Sequence, residues 1–305
     1  METKFTKLLN IEHPILMAPM FLVSNKEMLK AAIDSGILGA IPTLNYRDLE
    51  QLRSDILELK QYSEGKKGTF ALNLIVVGNP FFHAHLQIIE ETKAPVVITS
   101  LGNPDGVISK VHSYGGIVLS DIVNLKFAEK AATAGADGFV VVGCGAGGHA
   151  GNNNLFTLIP SLRRLYPNML IVAAGGLAYG ESMVAALALG ADGVSIGTPF
   201  ITCRESKVSA EYKQAVLNAR IDDIVFTRIL SGKPSAVINT EKFQELEKSL
   251  QNNDMNFVSG MKILSKADYG NVYMAGQSVE AITTETTIGE WITEYIKRAE
   301  SVQLK

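Results

Sequence analysis

Along the chain, short blocks of uninterrupted apolar residues alternate with longer stretches in which apolar positions recur every third or fourth residue. The blocks are PILMAP at Pro14, LGAIPT at Leu38, TFALNLIV at Thr69, APVVITS at Ala94, GIVLSDIV at Gly116, DGFVVVG at Asp137, MLIVAAGG at Met169 and DGVSIGTPF at Asp192. Continuous rather than alternating apolarity is the pattern of parallel strands covered on both faces. The stretches between them, such as SNKEMLKAAIDSG and YGESMVAALALG, have helical period. Gly36, Gly115, Gly135 and Gly190 follow four of these helices, where a left-handed cap is wanted.

Eight strand–helix units by about Phe200 predict a closed (β/α)8 TIM barrel of the α/β class. A doubly wound open sheet would carry a glycine fingerprint after its first strand, and APMFLVSN has none. The glycines cluster instead after the sixth, seventh and eighth strands, where a barrel builds its phosphate site. Beyond Arg204 the rhythm stops. VSAEYKQAVLNA, TEKFQELEKSLQNN and IGEWITEYIKRAES read as amphipathic helices. The expected organisation is a barrel over residues 1–204. Residues 205–305 form a C-terminal helical segment that partly completes the barrel and covers its mouth like a lid.

Composition narrows the class. The 305 residues are 47% hydrophobic and 19% charged, enough for a large core. A formal net charge of −3 gives no reason to expect a nucleic-acid or membrane partner. The two cysteines, Cys144 and Cys203, make neither a zinc pattern nor a disulfide framework. METKFTKLLNIEH has no signal-peptide apolar region and no long uncharged span follows, so a soluble, cytoplasmic protein is expected.

Chemistry in a barrel gathers at the C-terminal ends of the strands. Here those ends supply Pro19 and Met20, Asn73, Ser100, the loop Gly143–Gly151 with His149, Ala173–Gly176, and Gly197 with Thr198. One histidine and few carboxylates make no metal cluster, and no Ser–His–Asp arrangement is readable. An organic cofactor is therefore expected to carry the hard chemistry. AAGG and IGT offer backbone amides free of side chains, which suits a phosphate monoester; no P-loop lysine accompanies them.

HPILMAPM, ALNLIV, GCGAGGHAG, IVAAGGLAYGESMVAALALGADGVSIGTPF and YMAGQSVEAI stand in the order found in the nitronate monooxygenases, formerly called 2-nitropropane dioxygenases. The chain resembles that family from about Ile11 to Ile282. The same superfamily holds a flavin-dependent enoyl-acyl-carrier-protein reductase and NADH:quinone reductases. The resemblance implies non-covalent FMN. It puts Met20 and Asn73 by the isoalloxazine and Gly175, Gly176, Gly197 and Thr198 on the phosphate. Gly148 and, from the C-terminal segment, Gln277 join the cofactor contacts, and His149 is the active-site histidine. Two departures remove charge near the site: Gly145 stands where many members have Glu, and Pro199 where many have Arg.

The expected activity is FMN-dependent oxidation of an alkyl nitronate by O2 to a carbonyl compound and nitrite, with His149 as acid, base or hydrogen-bond donor. The alternative is NAD(P)H-dependent reduction of an enoyl thioester or quinone. A third is a non-catalytic barrel that binds a phosphorylated metabolite. Association into a homodimer is left open. His13, His83, His85 and His112 are expected to be structural or solvent-facing, and Cys144 a small packed residue. One of Asn152–Asn154 should cap the following helix, and Glu181 should complement a helix dipole.

Overall fold

The computed structural model describes residues 1–230, 232–250 and 272–303. Eight strands form a closed parallel barrel: β1 Ile15–Met17, β2 Leu38–Pro42, β3 Thr69–Ile75, β4 Val96–Ser100, β5 Ile117–Ile122, β6 Gly138–Val142, β7 Leu170–Ala174 and β8 Gly193–Ile196. The ring closes where Ile15, Leu16 and Met17 pair with Val194, Ser195 and Ile196. Each expected block became a strand. Gly36, Gly115, Gly135 and Gly190 have φ of +69°, +82°, +91° and +106°, as the helix-end reading requires.

Successive side chains of a strand point to opposite faces. One set, including Ile15, Met17, Phe70, Leu72, Val97 and Ile171, packs outward under the helices. The other, including Leu16, Leu38, Ala40, Ala71, Val96, Ile98, Leu119, Val140 and Val172, fills the barrel interior with Phe5 and Leu9. Those two come from the N-terminal helix Lys4–Leu9, which plugs the floor of the barrel. Gly193 has no side chain because a Cβ there would lie 2.8 Å from the Phe5 ring.

The C-terminal segment contains the helices Ala210–Asn218, Glu241–Leu250 and Ile288–Glu300. The expected helix over TEKFQELEKSLQNN is described to Leu250, and its last three residues lie outside the described residues. Ile288–Glu300 packs against the helices Gly180–Ala188 and Lys26–Asp34, closing the outer ring. A side chain at Gly180 would strike Tyr295 O (2.6 Å) and Ala299 N (2.4 Å), so that contact is backbone on backbone.

The sequence reading did not include an antiparallel ribbon, β9 Ile224–Thr227 and β10 Ser235–Ile238, inserted between helices of this segment. IVFT and SAVI are short and β-branched, with a turn containing Gly232 between them. Among the described residues, no helix is long and apolar enough to cross a membrane.

Candidate active site

The inward positions turn polar at the top of the barrel. Ala71 is followed by Asn73, Ile98 by Ser100, and Leu119 by Asp121. These residues, with Ala18, Met20, Gly145–His149, Ala174–Leu177, Ser195, Gly197 and Thr198, surround a cavity of about 510 Å³. Its size lies within the range of small-ligand sites, roughly 300–1,000 Å³. Another cavity, of about 500 Å³, lies at the opposite end of the barrel between Glu12, His13, Asp34, Lys297 and Glu300, away from the strand C-termini.

Three loops form the glycine side of the main cavity. Gly175 and Gly176 follow β7 with φ of +122° and +71°, conformations glycine adopts without strain. Among the described residues nothing accepts the N–H groups of Gly175, Gly176, Gly197 or Thr198. A Cβ on Gly176 would find no atom nearer than 3.9 Å. Thr198 Oγ1 accepts from Gly276 N–H (3.0 Å), which leaves its own proton to donate. Free amides, a hydroxyl proton and open space make a cradle into which a phosphate monoester fits.

The glycines of the β6 loop have another use. A Cβ on Gly145 would lie 3.0 Å from Gly176 N and 3.1 Å from Gln277 Oε1. One on Gly147 would lie 2.7 Å from Gly276 N. Gln277 N–H donates to Gly145 O (3.1 Å), so the β6 loop, the β7 loop and residues 275–277 are locked main chain to main chain. Gln277 thus packs against Gly145, and its neighbours Met274 and Ser278 line the cavity.

His149 lies in a two-residue strand, Gly148–His149, which pairs with β10 in the register Ser235↔His149 and Ala236↔Gly148. The ribbon thus holds the imidazole over the cavity. Burial, and to a lesser degree the positive charge of Lys233, lower its pKa below the usual 6.5. It is neutral at pH 7, able to take a proton on one nitrogen and donate from the other.

Met20 is set by Asn45, which accepts from Leu22 N–H (2.8 Å) and donates to Met20 O (3.2 Å) and Ser24 O (2.8 Å). Asn73 Nδ2 donates to Ile98 O (3.1 Å) and Ser100 Oγ (2.7 Å), and Ser100 donates to Asp121 Oδ2. Burial pushes the Asp121 carboxyl up to about 6, against the lowering effect of the Ser100 hydrogen bond. The sequence reading missed Asp121. Its signal was a carboxylate two positions after inward-facing Leu119 in an otherwise apolar strand.

Outside the cavity, His85 is fully buried and its pKa is pushed down to about 4. His112 meets Asp137 (2.9 Å), and His83 faces solvent. Cys144 does not line the cavity. Asn154 caps the helix Leu155–Leu165, and Glu181 sits in the first turn of Gly180–Ala188 beside Arg298 (3.4 Å). No cluster of His, Cys, Asp and Glu suited to a metal ion occurs among the described residues.

The family profile described as nitronate monooxygenase matches residues 65–297. The chain belongs to the nitronate monooxygenase family. It is 31% identical to (3aS,4S,5R,7aS)-5-hydroxy-7a-methyl-1-oxo-octahydro-1H-indene-4-carboxyl-CoA dehydrogenase of Rhodococcus jostii, over 82% of this chain and 69% of that one. It is 26% identical to a probable nitronate monooxygenase of Staphylococcus aureus, over 80% of each. Among solved structures, FabK from Thermotoga maritima superposes with a TM-score of 0.86 at 31% identity, covering 98% of this chain and 96% of that one. The protein is an oxidoreductase on a TIM barrel.

Proposed function

We propose that the protein binds FMN in the main cavity and oxidises small nitronates or nitroalkanes with O2, releasing a carbonyl compound and nitrite. One observation carries this reading: the uncommitted amides of Gly175, Gly176, Gly197 and Thr198 and the His149 imidazole line the same cavity. The four amides and the Thr198 hydroxyl would hold the phosphate, with Met20, Asn73 and Gly148 along the rest of the cofactor. Bound FMN supplies the electron transfer between substrate and oxygen.

His149 does the proton work. As a neutral base it takes the α-proton of a nitroalkane; with a substrate already ionised, its N–H orients the nitro oxygens. Lys233, whose charge is felt at His149, makes this side of the cavity the favourable one for an anion. In the same reading, residues 205–305 complete the barrel, and their ribbon covers the mouth and holds His149.

A second reading, NAD(P)H-dependent reduction of an acyl thioester, is favoured by the rim. Val77, Phe81, Leu125, Phe127 and Phe156 are exposed apolar residues following β3, β5 and β6, and Phe127 reaches the cavity. Such a rim suits a long apolar substrate, and one 31%-identical relative is a CoA-thioester dehydrogenase. Anaerobic mixing of FMN-loaded protein separates the two. Prompt loss of oxidised-flavin absorbance with propionate 3-nitronate, and slow loss with NADH or NADPH, is expected. Fast bleaching by a nicotinamide and none by any nitronate would establish the second reading instead.

A further inference from the structure

The cavity wall away from the glycine loops carries three polar side chains on adjacent strands: Asn73 on β3, Ser100 on β4 and Asp121 on β5. Their hydrogen bonds run in one direction. Both amide protons of Asn73 are committed, to Ile98 O and to Ser100 Oγ, and the Ser100 proton is committed to Asp121 Oδ2. Asn73 Oδ1 and Asp121 Oδ1 have no donor among the described residues. This wall therefore presents acceptors to a ligand, one of them on an acid.

Asp121 is part-buried, desolvation makes its charge costly, and it has no cationic partner within salt-bridge distance among the described residues. The other titratable groups facing the cavity are Lys130 on the exposed face of the helix Leu125–Thr133, His149 on the mouth strand, and Tyr212, whose hydroxyl donates to Met274 O. Strands β3 and β4 bring neutral Asn73 and Ser100, and β6 brings Val140 and Val142.

We propose that Asp121 is a proton-linked tuning residue: it takes up a proton when flavin bound in this cavity is reduced, and so sets how steeply the flavin potential depends on pH. The inference rests on the FMN reading. Two electrons and one proton turn oxidised flavin into an anion. A carboxylate in the same enclosed cavity is repelled by that charge and gains affinity for a proton. Two electrons then bring two protons, one to the flavin and one to Asp121. Burial already holds the carboxyl at about 6, so a further rise carries it through neutral pH.

The test is the flavin midpoint potential of FMN-loaded protein, measured against reference dyes from about pH 5 to 8, in wild type, Asp121→Asn and Ser100→Ala. Above about pH 6 the wild-type potential should fall with pH about twice as steeply as that of Asp121→Asn, because two protons rather than one accompany two electrons. Toward pH 5 the two potentials should converge, since wild-type Asp121 is then protonated in both redox states. Ser100→Ala removes a hydrogen bond that favours the carboxylate, and should move the onset of the steep region to higher pH. The unfolding midpoint of flavin-free Asp121→Asn should rise at pH 8, whereas loss of a merely structural aspartate would lower it. Parallel potential–pH lines for wild type and Asp121→Asn would overturn this inference and leave the FMN reading intact. A protein that takes up no FMN would overturn both.

Discussion

The two sides of the barrel mouth are built on opposite plans. After β6, β7 and β8 the chain strips away most side chains and works with main-chain amides, close loop contacts, the Thr198 hydroxyl and a single imidazole. At the ends of β3, β4 and β5 it uses side chains, joined in a line from Asn73 through Ser100 to Asp121. The first plan suits a group recognised by charge and shape, because amides at fixed positions need no rotamer to be ordered. The second suits a group that changes protonation, because carboxyl and hydroxyl can pass or hold a proton. An oxidoreductase needs both: a fixed anchor and a responsive wall.

The largest break should come from putting a charge into the main-chain side. Gly176 has φ +71° and open space around its missing Cβ. Aspartate tolerates that backbone region better than most residues, at a strain of about 1–2 kcal/mol. Gly176→Asp should therefore fold, yet set a carboxylate against the phosphate and lose FMN on purification. Absorbance of the purified protein, followed by equilibrium dialysis against FMN, checks it; wild-type retention would mean the phosphate lies elsewhere.

Next comes the imidazole on that side. His149→Ala keeps the pairing of residues 148–149 with β10, which is main chain, and should keep the flavin. Turnover of a neutral nitroalkane should fall ~10²–10⁴-fold. Turnover of the corresponding nitronate should fall less, since no α-proton remains to be removed. Steady-state rates on the two forms decide it, and unchanged rates on both would leave His149 a structural role alone.

How legible each side was follows from its materials. Glycines at 175, 176 and 197 are visible in the sequence because a strand end without side chains is unusual. Why Gly145 and Gly147 are there was not visible. A Cβ at either position would meet residues 275–277, more than a hundred positions away. Gln277 belongs to the same packing: its main-chain N–H bonds Gly145 O, and its side-chain oxygen lies 3.1 Å from where a Gly145 Cβ would stand. Asp121 was hidden inside GIVLSDIV, where apolar neighbours outweigh one acid until the pleat shows that positions 117, 119 and 121 share the inner face. The ribbon was overlooked because strong helical periods on both sides drew the whole segment into one class.

A milder change probes the lock between loops. A methyl group at Gly145 would press on Gly176 N at 3.0 Å and Gln277 Oε1 at 3.1 Å, and both neighbours must give by a few tenths of an ångström. Gly145→Ala should cost about 1–3 kcal/mol, in the range of overpacked cores, seen as a lower thermal midpoint. FMN affinity should weaken several-fold, because Gly176 belongs to the phosphate cradle. A drop in stability with unchanged affinity would separate the lock from the cradle.

The smallest effect tests whether the two sides titrate independently. On a neutral nitroalkane, activity requires neutral His149, so it should be flat near pH 7 and fall in acid, with a limb below 6.5. Asp121 at about 6 lies in the same cavity, so the wild-type limb by itself belongs to the pair rather than to either group. Lys233 separates them. Its charge contributes to lowering His149, while Asp121 is shifted by burial and Ser100 alone. Lys233→Ala removes a positive charge that disfavours imidazolium, so the imidazole binds its proton more readily and the limb moves up. It should still stop short of 6.5, because burial is the larger cause and the substitution leaves the barrel mouth closed around the ring. The kcat–pH profile of Lys233→Ala, set beside that of Asp121→Asn, resolves the assignment. A limb that moves in Asp121→Asn but not in Lys233→Ala would transfer the proton chemistry from the glycine side to the side-chain side.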